Sequence, residues 1–98
     1  EVLNGCGLPD LGKRVGERLS ALGVPLAGTG GNAKVKVDGE EVNDFTHEES
    51  VVIYRSETER VAAYARYLGV LLSVNEVRLE AGPGSEIVLI AGRDLSEP

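Results

Sequence analysis

Val2-Leu3-Asn4-Gly5-Cys6-Gly7, followed at once by Leu8 to Leu22, decides how this chain folds. Two apolar residues run into a tight polar turn, and an amphipathic stretch begins directly after it. That order is strand, turn, helix, the opening of a βαβ unit. Within the helix, Leu8, Leu11, Val15, Leu19 and Leu22 recur at spacings of three and four and form one apolar stripe. Lys13, Arg14, Glu17 and Arg18 fall off that stripe and face water. Pro9 suits the first helical turn, where a missing N–H costs nothing. Asp10 suits the positive end of the helix dipole. Gly12 and Gly16 each lower helix propensity by about 1 kcal/mol relative to alanine, a cost that close packing on the sheet would explain. Gly23 is the expected left-handed cap.

Beyond Gly23 the chain reads as a second, looser version of the same unit. Val24 to Ala27 predicts a short strand, with Pro25 holding it to an edge or to its first position. Gly28 to Asn32 is a flexible turn. Lys34-Val35-Lys36-Val37, Asp38-Gly39 and Glu40-Glu41-Val42 predict a small exposed hairpin. Asn43 to Glu49 is a polar, acidic, solvated loop. Val51-Val52-Ile53-Tyr54 is a continuous β-former run suited to a central strand. Ser56 and Glu59 have capping-box spacing for a second helix over Glu57 to Leu68, ended by Gly69. A strand over Asn75 to Leu79, a turn over Ala81 to Gly84 and a buried strand over Ile87 to Ala91 complete the order.

The fold class is therefore α/β. We expect a two-layer sandwich with a mixed sheet of four to five strands and two helices mainly on one face, in the order βαβ-hairpin-βαββ. Leu11, Val15, Leu19, Val52, Ala65, Leu68, Val88 and Ile90 should be core. Both long apolar strands point apolar side chains both ways, so the face without helices needs a cover. The Lys34–Val42 hairpin, or a partner chain, is expected to supply it.

Ninety-eight residues make a single domain over 1–98. A net charge of −6 argues against a nucleic-acid partner, which wants a basic face, and against polybasic docking on anionic lipid. No apolar run approaches the ~20 residues of a membrane span, so no direct membrane insertion by this segment is expected. No leader is visible, and a chain that opens directly into a strand reads as an excised or mature piece. One cysteine excludes an internal disulfide.

No catalytic constellation stands out. Gly5-Cys6-Gly7 sits where a phosphate loop would, ahead of a helix N-terminus. However, the third glycine of the dinucleotide fingerprint is replaced by Asp10, which would repel a phosphate. A tight structural turn is the competing reading. Cys6 beside a helix N-terminus could have a lowered thiol pKa, yet nothing in the sequence brings it to His47, the only histidine. His47, Glu48, Glu49 and Asp44 lack metal-ligand spacing and read as a solvated face. No cofactor is expected.

A candidate ligand site follows from topology. Ligands of α/β sheets collect beyond the C-terminal ends of parallel strands. The first strand ends in Asn4, Gly5, Cys6 and Gly7. A parallel last strand would bring Arg93 and Asp94 alongside, and the third main strand would add Arg55 and Ser56. The competing duty is structural: Asn4 and Asp94 can instead bond the two turns to each other.

With those residues in view, the chain resembles the LytR C-terminal domain family, the accessory domain of LytR-CpsA-Psr cell-envelope proteins. The family opens on a strand ending in Asn-Gly, a small hydroxyl residue and Gly, similar to Val2 to Gly7 here with Cys6 in the hydroxyl position. Ala21-Leu22-Gly23-Val24, Asn32-Ala33, Ser50 to Tyr54 and Ile87 to Asp94 match its later motifs. The stretch from Lys34 to Glu49 is longer than the family pattern. The resemblance implies a non-catalytic, extracytoplasmic, cell-envelope-associated module, held by a membrane anchor outside this segment. It implies binding of cell-wall glycan, peptidoglycan or an envelope protein partner. The alternative, from the glycine turn, is a small phosphate- or nucleotide-binding regulatory domain.

Overall fold

A computed structural model describes residues 1–96. It contains β1 (Val2–Asn4), α1 (Leu11–Ala21), β2 (Gly31–Asn32), β3 (Lys34–Val37), β4 (Glu40–Asn43), β5 (Val51–Tyr54), α2 (Glu59–Leu72), β6 (Glu76–Leu79) and β7 (Ile87–Ala91), followed by a single 3₁₀ turn at Arg93–Leu95. The main sheet is five-stranded, in the order β2-β1-β7-β5-β6. β1 runs parallel to β2 and to β7, and β5 runs parallel to β6. β5 and β7 are antiparallel. Two βαβ units therefore lie back to back, running in opposite directions, with β7 between them. This is the expected two-layer mixed sandwich.

Both helices pack on one face. Leu11, Val15 and Leu19 of α1 and Ala65, Leu68 and Leu72 of α2 share one buried cluster with Val2, Val52, Leu89 and Ala91 of the sheet. Alternation along the strands sends Val51, Ile53 and Val88 to the other face, where they form a smaller buried cluster flanked by Leu3 and Ile90. Of the expected core residues, Ile90 alone is only partly buried. The β3–β4 hairpin does not provide the expected cover. It is a separate two-stranded sheet, and its Val35, Val37 and Val42 are 44%, 52% and 38% exposed.

Several local expectations are corrected. α1 starts at Leu11, with Asp10 as N-cap in the left-handed region (φ 61°) and without a side-chain cap bond, so Pro9 lies outside the helix. Asn4 holds instead the turn that leads from β1 towards α1. At the other end Val24 N donates to Leu19 O and Gly23 N to Ser20 O, a Schellman cap with Gly23 at φ 86°. Val24–Ala27 is not a strand. The strand pairing with β1 is Gly31–Asn32, inside the expected flexible turn. The connecting segment reaches β1 by pressing on α1: a methyl at Gly12 would lie 2.4 Å from the Thr29 carbonyl oxygen, and one at Gly16 2.4 Å from Thr29 Cγ2. Gly12 and Gly16 therefore serve close packing against this segment rather than against the sheet.

The capping box at Ser56 does not form. Thr58 is the N-cap, and Ser56 Oγ accepts from Thr58 N at 3.2 Å. α2 runs through Gly69 to Leu72 and ends at Ser73 in the left-handed region. Gly69 is internal because β6 passes close: a methyl there would lie 2.8 Å from Val77 Cγ2.

Candidate functional site

The C-terminal ends of β1 and β7 lie side by side, as the expected site required. The residues there are occupied by one another. Asn4 Oδ1 accepts from Cys6 N at 3.1 Å and Gly7 N at 2.9 Å, and Asn4 Nδ2 donates to Leu8 O at 2.7 Å. Gly5 N donates to Ala91 O at 2.8 Å. The three N–H groups that a phosphate would need are thus already bonded, as expected of an Asx-type turn.

The loop from Asp44 to Ser50 straps this end shut. His47 N donates to Gly5 O at 2.9 Å, Arg93 N to His47 O at 3.1 Å and Asp94 N to Glu48 O at 3.0 Å. The Asp94 carboxylate accepts from Ser50 N at 3.0 and 3.1 Å and from Ser50 Oγ. Ser50 Oγ in turn accepts from Gly92 N at 2.8 Å. Ser50 is 2% exposed. The strap lies so close that a methyl at Gly5 would meet Ile90 at 2.6 Å and His47 at 3.0 Å, and one at Gly92 would meet Glu49 at 2.7 Å. The expected solvated loop is therefore a structural clamp. Asn4 and Asp94 hold turns, although not by bonding each other.

The remaining expected residues divide. Arg93 is exposed and pairs loosely with Glu48 at 3.5 Å. Arg55 and Ser56 lie at the opposite end of the sheet, because β5 runs antiparallel to β7. There Arg55 N donates to Glu86 O at 2.8 Å and Arg55 Nη1 to Glu80 O at 3.0 Å. Cys6 packs in the helix-side cluster, whereas His47 pairs with Asp44 at 3.3 Å. The two do not make a nucleophile–base pair. Hydrogen bonds from the Thr46 hydroxyl and N–H, ahead of the His47 contribution, hold the Asp44 carboxyl below its ordinary pKa. Among the described residues, no three His, Cys, Asp or Glu side chains gather as metal ligands.

The open feature lies at the opposite end, where β1 and β7 begin. A cleft of about 340 Å³ runs between the end of α1, the start of α2 and the segment after Gly23. Its floor is aliphatic: Val2, Leu19, Val24, Val61, Leu68 and Leu89. Its rim carries Arg60, Tyr64, Glu1 and Glu86. Arg60 and Glu86 have no ion pair among the described residues. Tyr64 stacks on the exposed Tyr67 with ring centroids 5.9 Å apart. The volume falls within the ~300–1,000 Å³ of ordinary ligand pockets. Sequence reasoning missed this site because its residues come from five separate stretches, each of which reads only as core stripe or polar surface.

The fold defines a small two-layer α/β module with an open cleft at one end. The family model of the LytR cell envelope-related transcriptional attenuator, LytR_C, matches residues 1–95. The chain belongs to that family, as a cell-envelope-associated accessory domain. No curated protein and no solved structure matches the chain. No helix among the described residues is long and apolar enough to cross a membrane.

Proposed function

We propose that this domain is a non-catalytic binding module of the cell envelope, engaging cell-wall glycan or an envelope protein partner through the cleft between α1 and α2. The observation that carries the reading is an aliphatic cleft of about 340 Å³ left open in a domain of only 98 residues, with unpaired charged groups at its rim. Apolar floors with a few polar groups at the mouth are the usual form of binding sites. The family's association with the cell envelope supports an extracytoplasmic address. The nucleotide alternative loses its support at the glycine turn, whose N–H groups already serve Asn4 and Ala91.

The test is retention of the purified domain by isolated cell envelopes. Retention is expected, and Ala27→Trp, which fills the cleft from an exposed position on its wall, should abolish it. Arg93→Ala, at the strapped end, should leave it unchanged. Digestion of the envelopes with muramidase or protease then distinguishes glycan from protein. No retention, or retention untouched by Ala27→Trp, refutes the reading.

A further inference from the structure

We propose that the free edge of the sheet at β6 pairs with the same edge of a second copy of this chain, joining two sheets into one across a two-fold axis. This surface is separate from the cleft and does not depend on what the cleft binds. Among the described residues no strand lies outside β6. Glu80 N donates to Tyr54 O at 3.0 Å, and Tyr54 stands opposite Leu79 in the parallel β5–β6 register. Alternation therefore turns the N–H and C=O groups of Glu76 and Arg78 towards β5, and those of Asn75, Val77 and Leu79 outwards. Among the described residues those outward groups have no hydrogen-bond partner. An uncovered edge of this kind is a template for another strand.

The side chains choose the partner and the register. Val77 points to the helix face, since a methyl at Gly69 would meet its Cγ2 at 2.8 Å. Glu76, Arg78 and Glu80 share the other face, where Arg78 lies 2.6 Å from Glu76 and 3.3 Å from Glu80. Antiparallel pairing centred on Val77 sets Val77 opposite the partner's Val77 and Asn75 opposite the partner's Leu79, all with outward N–H and C=O groups that can bond each other. Between them Glu76 falls opposite the partner's Arg78, and Arg78 opposite the partner's Glu76, so opposite charges meet twice. Centring the pair on Arg78 instead would set Arg78 against the partner's Arg78 and Glu76 against the partner's Glu80, like against like. An edge guarded by one sign of charge would repel a second copy. This edge carries both signs in the order that a two-fold axis matches. The helix face agrees. Val70 of α2 is 82% exposed and lines a shallow depression at this edge with Asn75 and Val77. Leu79, on the same face, is 40% exposed. The two-fold axis brings the partner's α2 over the seam, where Val70 and Leu79 leave water.

The experiment is sedimentation velocity of the domain over a concentration series up to about 1 mM, with amide shifts recorded over the same series. A four-residue seam puts the pairing in the weak, transient class. A reversible dimer is expected, with the amides of Asn75, Val77 and Leu79 shifting as concentration rises. Arg78→Glu and Glu76→Arg each set like charges across the seam and should weaken the dimer at least about tenfold. Combining the two changes in one chain should restore it, and mixing the two single variants should form a mixed dimer, which also shows that each is folded. Val70→Lys should weaken the dimer without lowering thermal stability. Ala27→Trp, at the cleft, should leave the dimer intact, so loss of envelope retention and loss of dimerisation are read separately. A parent domain still monomeric at about 1 mM overturns the proposal. So does association that the single charge reversals leave unchanged, or that the combined change fails to restore. Edge amides that shift with soluble muropeptides, and not with the domain's own concentration, assign the edge to another partner and overturn it as well.

Discussion

Gly16→Ala and Gly12→Ala test how α1 meets the segment that follows it. Alanine should favour the helix by about 1 kcal/mol over glycine in mid-helix, and by less near its start. Against that gain stand the contacts. A methyl at Gly16 would come within 2.4 Å of Thr29 Cγ2, the end of a side chain, and one at Gly12 within 2.4 Å of the Thr29 carbonyl oxygen, which is backbone. Overpacking of this kind typically costs about 1–3 kcal/mol. Gly16→Ala alone should therefore destabilise by about 0–2 kcal/mol. In a Thr29→Ala background Cγ2 is gone and only the approaches to the residue-29 Cβ (3.2 Å) and Leu26 Cδ1 (3.3 Å) remain, so the deficit should shrink to about zero. Gly12→Ala should destabilise by about 1–3 kcal/mol in both backgrounds, since no substitution removes the Thr29 carbonyl. Retreat of that carbonyl is opposed by the neighbouring bond from Val2 N to Gly28 O and by the pairing of Gly31 with Leu3. Urea unfolding of the parent, the three single variants and the two double variants gives both cycles directly. Each kcal/mol should also move the thermal midpoint by about 4–8 °C in a domain of this size. A Gly16→Ala deficit equal in both backgrounds, or a stabilising Gly12→Ala, would refute the packing argument.

Asp94→Ala should cost about 1–3 kcal/mol, because buried Ser50 loses the acceptor of its N–H and hydroxyl; urea unfolding checks it, and hydrogen exchange at Gly92 and His47 should quicken if the strap is what loosens. Cys6→Ser should cost about 1 kcal/mol or less and leave envelope retention intact; rapid alkylation of Cys6 at pH 6 combined with lost function in the serine variant would contradict that. The lowered Asp44 pKa means this carboxylate stabilises the fold above its unfolded pKa of about 4, a contribution lost as pH falls through the lower folded value. Asp44→Asn should therefore flatten the acid limb of a stability–pH curve slightly, the effect being small because the carboxylate still reaches solvent, and an unchanged limb would show that the Thr46 bonds do not matter.

The chain's own residues specify the elements through local periodicity. The three-and-four spacing from Leu11 to Leu19 can bury one face only as a helix, and the runs Val51–Tyr54 and Ile87–Ala91 can satisfy both sides only as strands inside a sheet. Asp38-Gly39 carries its turn in its backbone preferences, and both residues do adopt positive φ. The resemblance at Val2 to Gly7 likewise pointed to the family that matches residues 1–95. Strand direction was not legible, because an apolar run reads the same parallel or antiparallel. The antiparallel pairing of β5 with β7 is what carried Arg55 and Ser56 away from Asn4 and Asp94. The strap was equally hidden: an acidic loop looks solvated until its backbone finds Gly5 on one side and Arg93 and Asp94 on the other, all distant in sequence. Short-range pattern sets which face of each element is apolar. Only the packing of α1 and α2 over the sheet decides where those faces fail to close, and the gap they leave is the cleft.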